Sequence, residues 1–239
     1  MPRIRLTSFF FSLLVLILAT AHGAIAEDKL TVAFEPYPPY EMFENGVARG
    51  MNVDIIREAC SRIDVTPEFI MMSWSRALLE LREGRIDAAS SGFKTMERES
   101  YALYSSRPLS YEELVIIAPE NSTVSLGSLN DLRRYRIGVV RQHSYGHEFD
   151  SMRGLDKDFS KTVKTQLDKM LHGRTDLLIS NEVVIRHMLG EQPNAKVKTV
   201  FRVERTPLYL LFSRNAGDDV LDLSKRFSRH LKPCGMTAQ

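Results

Sequence analysis

Two cysteines, Cys60 and Cys234, allow at most one disulfide in a chain of 239 residues. Neither charge is in excess, with 32 Lys and Arg against 30 Asp and Glu. Two of the basic residues, Arg3 and Arg5, fall in a leader segment, and without them the signs balance. A nucleic-acid binder normally carries a basic surplus, so that class is disfavoured. With only 13 Gly and 10 Pro, and 44% hydrophobic residues, the chain is neither collagen-like, low-complexity nor disordered. No Walker A loop is present, which excludes an ATPase of that type. Gln142-His143-Ser144-Tyr145-Gly146 lacks the first glycine of a G-x-S-x-G nucleophile elbow. Beyond residue 26 no apolar run approaches the ~20 residues of a membrane-spanning helix.

What is present begins with an address. Arg3 and Arg5 precede an apolar run from Phe9 to Ala19, and Ala24-Ile25-Ala26 forms an A-x-A cleavage site before Glu27. Residues 1–26 therefore read as a secretory signal peptide, and the mature chain is expected to start near Glu27 as an exported, soluble protein. Export permits a Cys60–Cys234 disulfide. Two buried free thiols are the equal alternative.

Strand and helix patterns alternate along the rest. Leu30–Phe34 reads as a strand, closed by the proline-rich Glu35-Pro36-Tyr37-Pro38-Pro39-Tyr40, and Asn45-Gly46 reads as a turn. A helix is expected from Met51 to Ile63, with Val53, Ile56, Ala59 and Cys60 on one face. Glu68–Met71 reads as a strand, followed by a helix capped by Ser75 and stopped at Gly84, then a strand over Ile86–Ser90. In the second half, strands are expected at 114–118, 136–140, 175–179 and 208–212, and helices at 162–172 and 220–231. This order predicts an α/β fold with a parallel sheet. Gly84-Arg85-Ile86-Asp87 is echoed by Gly173-Arg174-Thr175-Asp176. The echo and the repeated order suggest two lobes of similar plan, residues 27–112 with 207–239 and residues 113–206, joined by two hinge crossovers.

Ligands of open α/β sheets bind beyond the carboxyl ends of the strands. Those ends carry Glu35, Tyr37 and Tyr40, then Ser73 and Trp74, then Ser90 and Ser91. In the second half they carry Arg141, His143, Ser144 and Tyr145, then Ser180 and Asn181. Aromatics can clamp a ligand body while hydroxyls orient its polar ends. Thr95 reads as an N-cap that places Arg98 in a helix start, where a guanidinium fork could take a carboxylate. Spacing alone leaves Arg98 open between that role and a solvated surface residue. His143, His147 and Glu148 lack a diagnostic third-ligand spacing, so neither a metal nor a cofactor is expected.

Several segments resemble the bacterial extracellular solute-binding proteins of family 3, the periplasmic receptors of polar amino-acid ABC importers. They are Pro36–Tyr40, Gly50–Ile55, Trp74-Ser75-Arg76, Gly84–Ala88, Thr95–Arg98, Ser128–Leu132 and Ile137-Gly138-Val139. The resemblance implies a two-lobed α/β fold of the type II periplasmic binding-protein kind. It implies a monomer that closes on a small, carboxylate-bearing ligand and presents it to an inner-membrane ABC permease. The family's carboxylate-binding arginine falls on Arg98, its serine pair on Ser90 and Ser91, its stacking aromatic on Tyr37 and its second-lobe hydroxyl on Ser144. Three departures stand out. Phe93 replaces a hydroxyl, Gln142 replaces a glycine, and Asn181 replaces the aspartate that holds an α-ammonium. Ordinary amino acids are therefore expected to bind weakly unless Glu35 supplies the missing charge. The same fold resembles periplasmic dehydratases, for which Glu35 and Lys94 are the available acid–base candidates, and ligand-sensing modules.

Overall fold

The computed structural model describes residues 28–192 and 194–232. The leader and Cys234 lie outside the described residues. Cys60 is fully buried, and burial pushes its thiol up to about 12. No helix among the described residues is long and apolar enough to cross a membrane.

The first half runs β1 (Asp28–Phe34), the hairpin β2 (Met42–Glu44) and β3 (Val47–Arg49), α1 (Met51–Ser61), β4 (Val65–Met71), α2 (Trp74–Arg82) and β5 (Ala88–Gly92). It continues through α3 (Met96–Glu99), β6 (Ala102–Tyr104) and β7 (Ser110–Pro119). Asn45 and Gly46 both hold positive φ, as a two-residue hairpin turn requires. The second half holds a 3₁₀ turn (Leu129–Arg134), β8 (Arg136–Val140), α4 (His147–Ser151), β9 (Asp156–Ser160) and α5 (Val163–Leu171). Then come β10 (Leu177–Asn181), α6 (Glu182–Gly190), β11 (Val197–Ser213) and α7 (Asp218–His230).

The sheet is mixed rather than wholly parallel. Strand β1 pairs in parallel with β4 and β5, and β8 with β9 and β10, but β7 and β11 run antiparallel to their neighbours. Those two strands carry the chain between halves, so they return against the local direction. Strand β11 is also far longer than the expected 208–212. Its 17 residues extend about 55 Å, enough to serve both halves. Val197–Leu208 pairs with β7, whereas Tyr209–Ser213 pairs with β5 and β6. The result is one hydrogen-bonded path, β4-β1-β5-β11-β7-β10-β8-β9, with β6 paired to β11 beside it.

Helices cover both faces of each half. In the first, Leu30, Val32, Ile56, Cys60, Phe212 and Phe227 form the core between the sheet and α1 and α7. Trp74, Ala77, Leu81 and Leu211 pack on the opposite face. In the second, Ile116 and Leu114 of β7 face Leu132, Ile137 and Phe149, while Val115 and Ile117 face Leu167 and Val184. This is the period-2 alternation of a strand buried on both sides.

The sequence echo has a structural counterpart. Gly84 and Gly173 both sit at φ 69° and end α2 and α5. Asp87 Oδ2 then accepts the Thr31 N–H at 2.7 Å, and Asp176 Oδ2 accepts the Arg136 N–H at 2.7 Å. Each aspartate therefore satisfies a backbone donor of its half's first strand, β1 or β8.

Candidate functional site

A cavity lies where the ends of β1 and β5, the start of β7 and the loop after β8 converge. Its floor begins with Glu35, directly after β1. Glu35 Oε2 accepts the Trp74 N–H at 2.7 Å, so this carboxylate caps α2. Ser75 is not the cap, and Ser73, which occupies the N-cap position, makes no side-chain cap bond. The other Glu35 oxygen faces His143 Nε2 at 3.2 Å. The His143 ring meets Tyr37 and Trp74 edge-on, at 6.1 and 6.5 Å between centroids.

Thr95 caps α3 as expected, its Oγ1 accepting the Arg98 N–H at 3.2 Å. The Arg98 side chain turns inward and is only 5% exposed, so it is no surface residue. Its Nη1 donates to the Phe93 carbonyl at 3.0 Å and its Nη2 to the Gln142 carbonyl at 2.8 Å. The guanidinium lies 5.3 Å from the Trp74 ring centre. Burial lowers its pKa, yet a guanidinium stays charged at neutral pH.

Two further carboxylates are buried at this cavity, and the sequence reading missed both. Glu41 follows the proline-rich loop and accepts hydrogen bonds from the Ser90 and Ser91 hydroxyls. Desolvation pushes it up to about 7 against those bonds. Glu112 on β7 is pushed up to about 8, chiefly by desolvation, while hydrogen bonds from Tyr37 and Asn181 pull the other way. The strand period could have found Glu112, because it shares a face with the buried Leu114 and Ile116. Glu41 had no such signal, since its burial depends on a loop folding back over β5.

Of the sequence-predicted residues, the structure brings Glu35, Tyr37, Trp74, Ser90, Ser91, Arg98 and Ser144 to the cavity. Phe93, His143, Tyr145 and Leu208 join them. Ser144 Oγ donates to Asp150 Oδ2 at 2.5 Å. Arg141 does not line the cavity. Its guanidinium sits 5.7 Å from the Phe159 ring centre, on an outer groove. Asn181 is fully buried outside the lining, because it is the N-cap of α6. Its Oδ1 accepts the Val183 N–H at 2.8 Å, and its amide donates to the Tyr40 hydroxyl at 3.2 Å. The acid beside Asn181 is thus Glu112, not Glu35. His147 is exposed at the start of α4, away from the His143–Glu35 contact. Lys94 Nζ rests over the Tyr104 ring, 5.5 Å from its centre, so Glu35 and Lys94 form no acid–base pair at the cavity.

The arrangement combines one buried guanidinium, three buried carboxylates and an aromatic wall. It can orient a carboxylate at Arg98 and hold a cationic group against Glu41 and Glu112.

The chain is similar to several known binding proteins. The chain is 22% identical over 150 residues to YxeM of Bacillus subtilis, named a probable amino-acid-binding protein, covering 62% of this chain and 56% of that one. The match therefore spans little more than half of that relative's length. It is 23% identical over 183 residues to the histidine-binding periplasmic protein of Salmonella typhimurium, covering 74% of this chain and 70% of that one. Among solved structures, a histidine kinase sensor domain with similarity to periplasmic binding proteins aligns with a TM-score of 0.76 at 24% identity. That alignment covers 85% of this chain and 88% of that one. The holo arginine-binding protein of T. maritima aligns at 0.73 and 19% identity, with the same coverage. These likenesses establish the two-lobed periplasmic binding-protein fold. A family model matches residues 30–196, and the chain belongs to the bacterial extracellular solute-binding proteins, family 3.

Proposed function

We propose that this protein is a periplasmic binding protein for a small amino-acid-type solute, which it passes to an inner-membrane ABC permease. The carrying observation is the buried Arg98 facing buried Glu35, Glu41 and Glu112 around one cavity. In this reading the lobes are residues 28–112 with 207–232 and residues 113–206. Arg98 takes the solute carboxylate, with Trp74 beneath the fork. Tyr37 and Tyr145 flank the solute body. Glu112 and Glu41 receive its ammonium or a cationic side chain, offsetting the charge absent at Asn181. The expectation of weak amino-acid binding weighed Glu35 alone, and the burial of Glu41 and Glu112 at the cavity supports amino-acid binding instead. The position of Lys94 away from the cavity gives the dehydratase reading no support.

A calorimetric screen of the twenty amino acids tests this reading. At least one, with a basic side chain favoured by the surplus of acids, is expected to bind with micromolar affinity or better. Failure of all twenty would reject the solute class. Export is tested separately by N-terminal sequencing of periplasmic protein, which should start near Glu27. Recovery of the intact leader in the membrane fraction would overturn it.

A further inference from the structure

The loop after β8 does more than line the cavity. Gln142 sits at φ 63°, a left-handed conformation that residues other than glycine adopt only where surrounding contacts hold them there. The conformation aims the Gln142 carbonyl into the first lobe. That oxygen accepts the Arg98 Nη2 hydrogen at 2.8 Å and the Trp74 indole N–H at 3.1 Å. The next residue, His143, reaches Glu35 at 3.2 Å and packs against Tyr37 and Trp74. Four lobe-one groups, Arg98, Trp74, Glu35 and Tyr37, are thus engaged by two consecutive residues of the other lobe.

With the loop in place the cavity measures about 40 Å³, room for only a few waters. An amino acid with a long side chain needs the loop to withdraw. The Gln142 carbonyl also occupies the outer arm of the guanidinium that the proposed solute carboxylate would take.

We propose that Gln142–His143 is a built-in latch, which closes the lobes through protein-only contacts and which solute must displace from Arg98 and Glu35. The inference rests on the proposed binding site but is tested without any solute. The latch is a competing internal occupant. Closure and solute entry then oppose each other, and apparent affinity falls by the fraction of molecules latched.

Trp74 is the only tryptophan in the chain, so its fluorescence reports the latch directly. Protein should be unfolded, refolded and dialysed to remove any bound solute. The latched wild type is expected to show blue-shifted emission and weak quenching by acrylamide. His143→Ala removes the Glu35 contact and the ring packing. It should red-shift the emission, raise the quenching constant at least threefold and enlarge the radius of gyration measured by small-angle scattering. Freely quenched, red-shifted Trp74 in solute-free wild type would overturn the latch. So would a folded His143→Ala variant as closed as wild type. If that variant fails to fold by circular dichroism, the wild-type quenching and scattering still decide. Failure of the amino-acid screen would leave these readouts untouched, so the two proposals fall separately.

Discussion

Replacing Arg98 with alanine is expected to weaken solute binding thirty-fold or more. Arg98 is 5% exposed, its guanidinium lies over the Trp74 ring and it holds two donors in a rigid fork. A carboxylate brought to that fork leaves water and is repaid by charge-assisted bonds. Removing one partner of such a pair typically costs ~2–5 kcal/mol, which corresponds to a factor of about thirty to several thousand. Arg98 also ties the Phe93 carbonyl to the opposing loop, so the alanine variant should melt at lower temperature as well. Arg98→Lys separates the two effects. It keeps the charge but loses the planar fork, and should bind with an affinity between those of wild type and the alanine variant. Titration calorimetry with the strongest-binding amino acid measures both. Affinity unchanged in Arg98→Ala would remove Arg98 from the site.

The second large effect concerns pH. Solute-free protein is expected to lose stability as pH rises from about 5 to about 8, opposite to the usual behaviour of paired carboxylates. Glu41 and Glu112 stand at about 7 and about 8 in the folded chain, against an ordinary 4.5. Between those values the folded state retains protons that the unfolded state has released. Stability therefore falls with rising pH across this window and levels off above it. Each shift corresponds to on the order of a few kcal/mol between the protonated and ionised forms, and the Glu41 charge adds to the rise at Glu112.

Binding of a cationic group runs the other way. It favours the ionised carboxylates, so affinity should rise with pH up to about 8, and binding should release protons. Glu112→Gln preserves shape and removes the higher of the two titrations. Its melting temperature should vary less with pH, and its affinity for a basic amino acid should fall at least tenfold at pH 8. Thermal melts from pH 5 to 9, and calorimetry in buffers of different ionisation enthalpy, measure these quantities. A flat wild-type melting profile, or a Glu112→Gln profile that overlays it, would show that these acids do not titrate as described.

Much of this architecture was legible in one sequence because local rules were obeyed. The Asn45-Gly46 turn, the Thr95 cap, the helix stops at Gly84 and Gly173, and the buried face of α1 each depend on a few neighbouring residues. The Gly-Arg-x-Asp echo went further. It marked a repeated bond from a distant aspartate to the first strand of each half, which local propensity alone does not contain. The site was legible near strand ends: Glu35 and Tyr37 follow β1, while Ser90 and Ser91 lie within the last three residues of β5, which runs two residues beyond the expected Ser90. Arg141 obeyed the same positional rule and still points to the outer groove, because strand-end position does not set side-chain direction. Asn181 was correctly placed at a strand end, but helix α6 claims its side chain as a cap.

Short-range pattern already carries the α/β alternation, the two similar halves, the Thr95 cap and the candidate arginine. Long-range folding set the direction of β7 and β11, the burial of Glu41, and the contact of Gln142 and His143 with Arg98, Trp74 and Glu35. Those features join residues tens of positions apart, Glu41 to Ser90 and Arg98 to Gln142 among them. Desolvation, which turns surface-type carboxylates into the most perturbed acids of the cavity, acts only once those distant segments have closed over them.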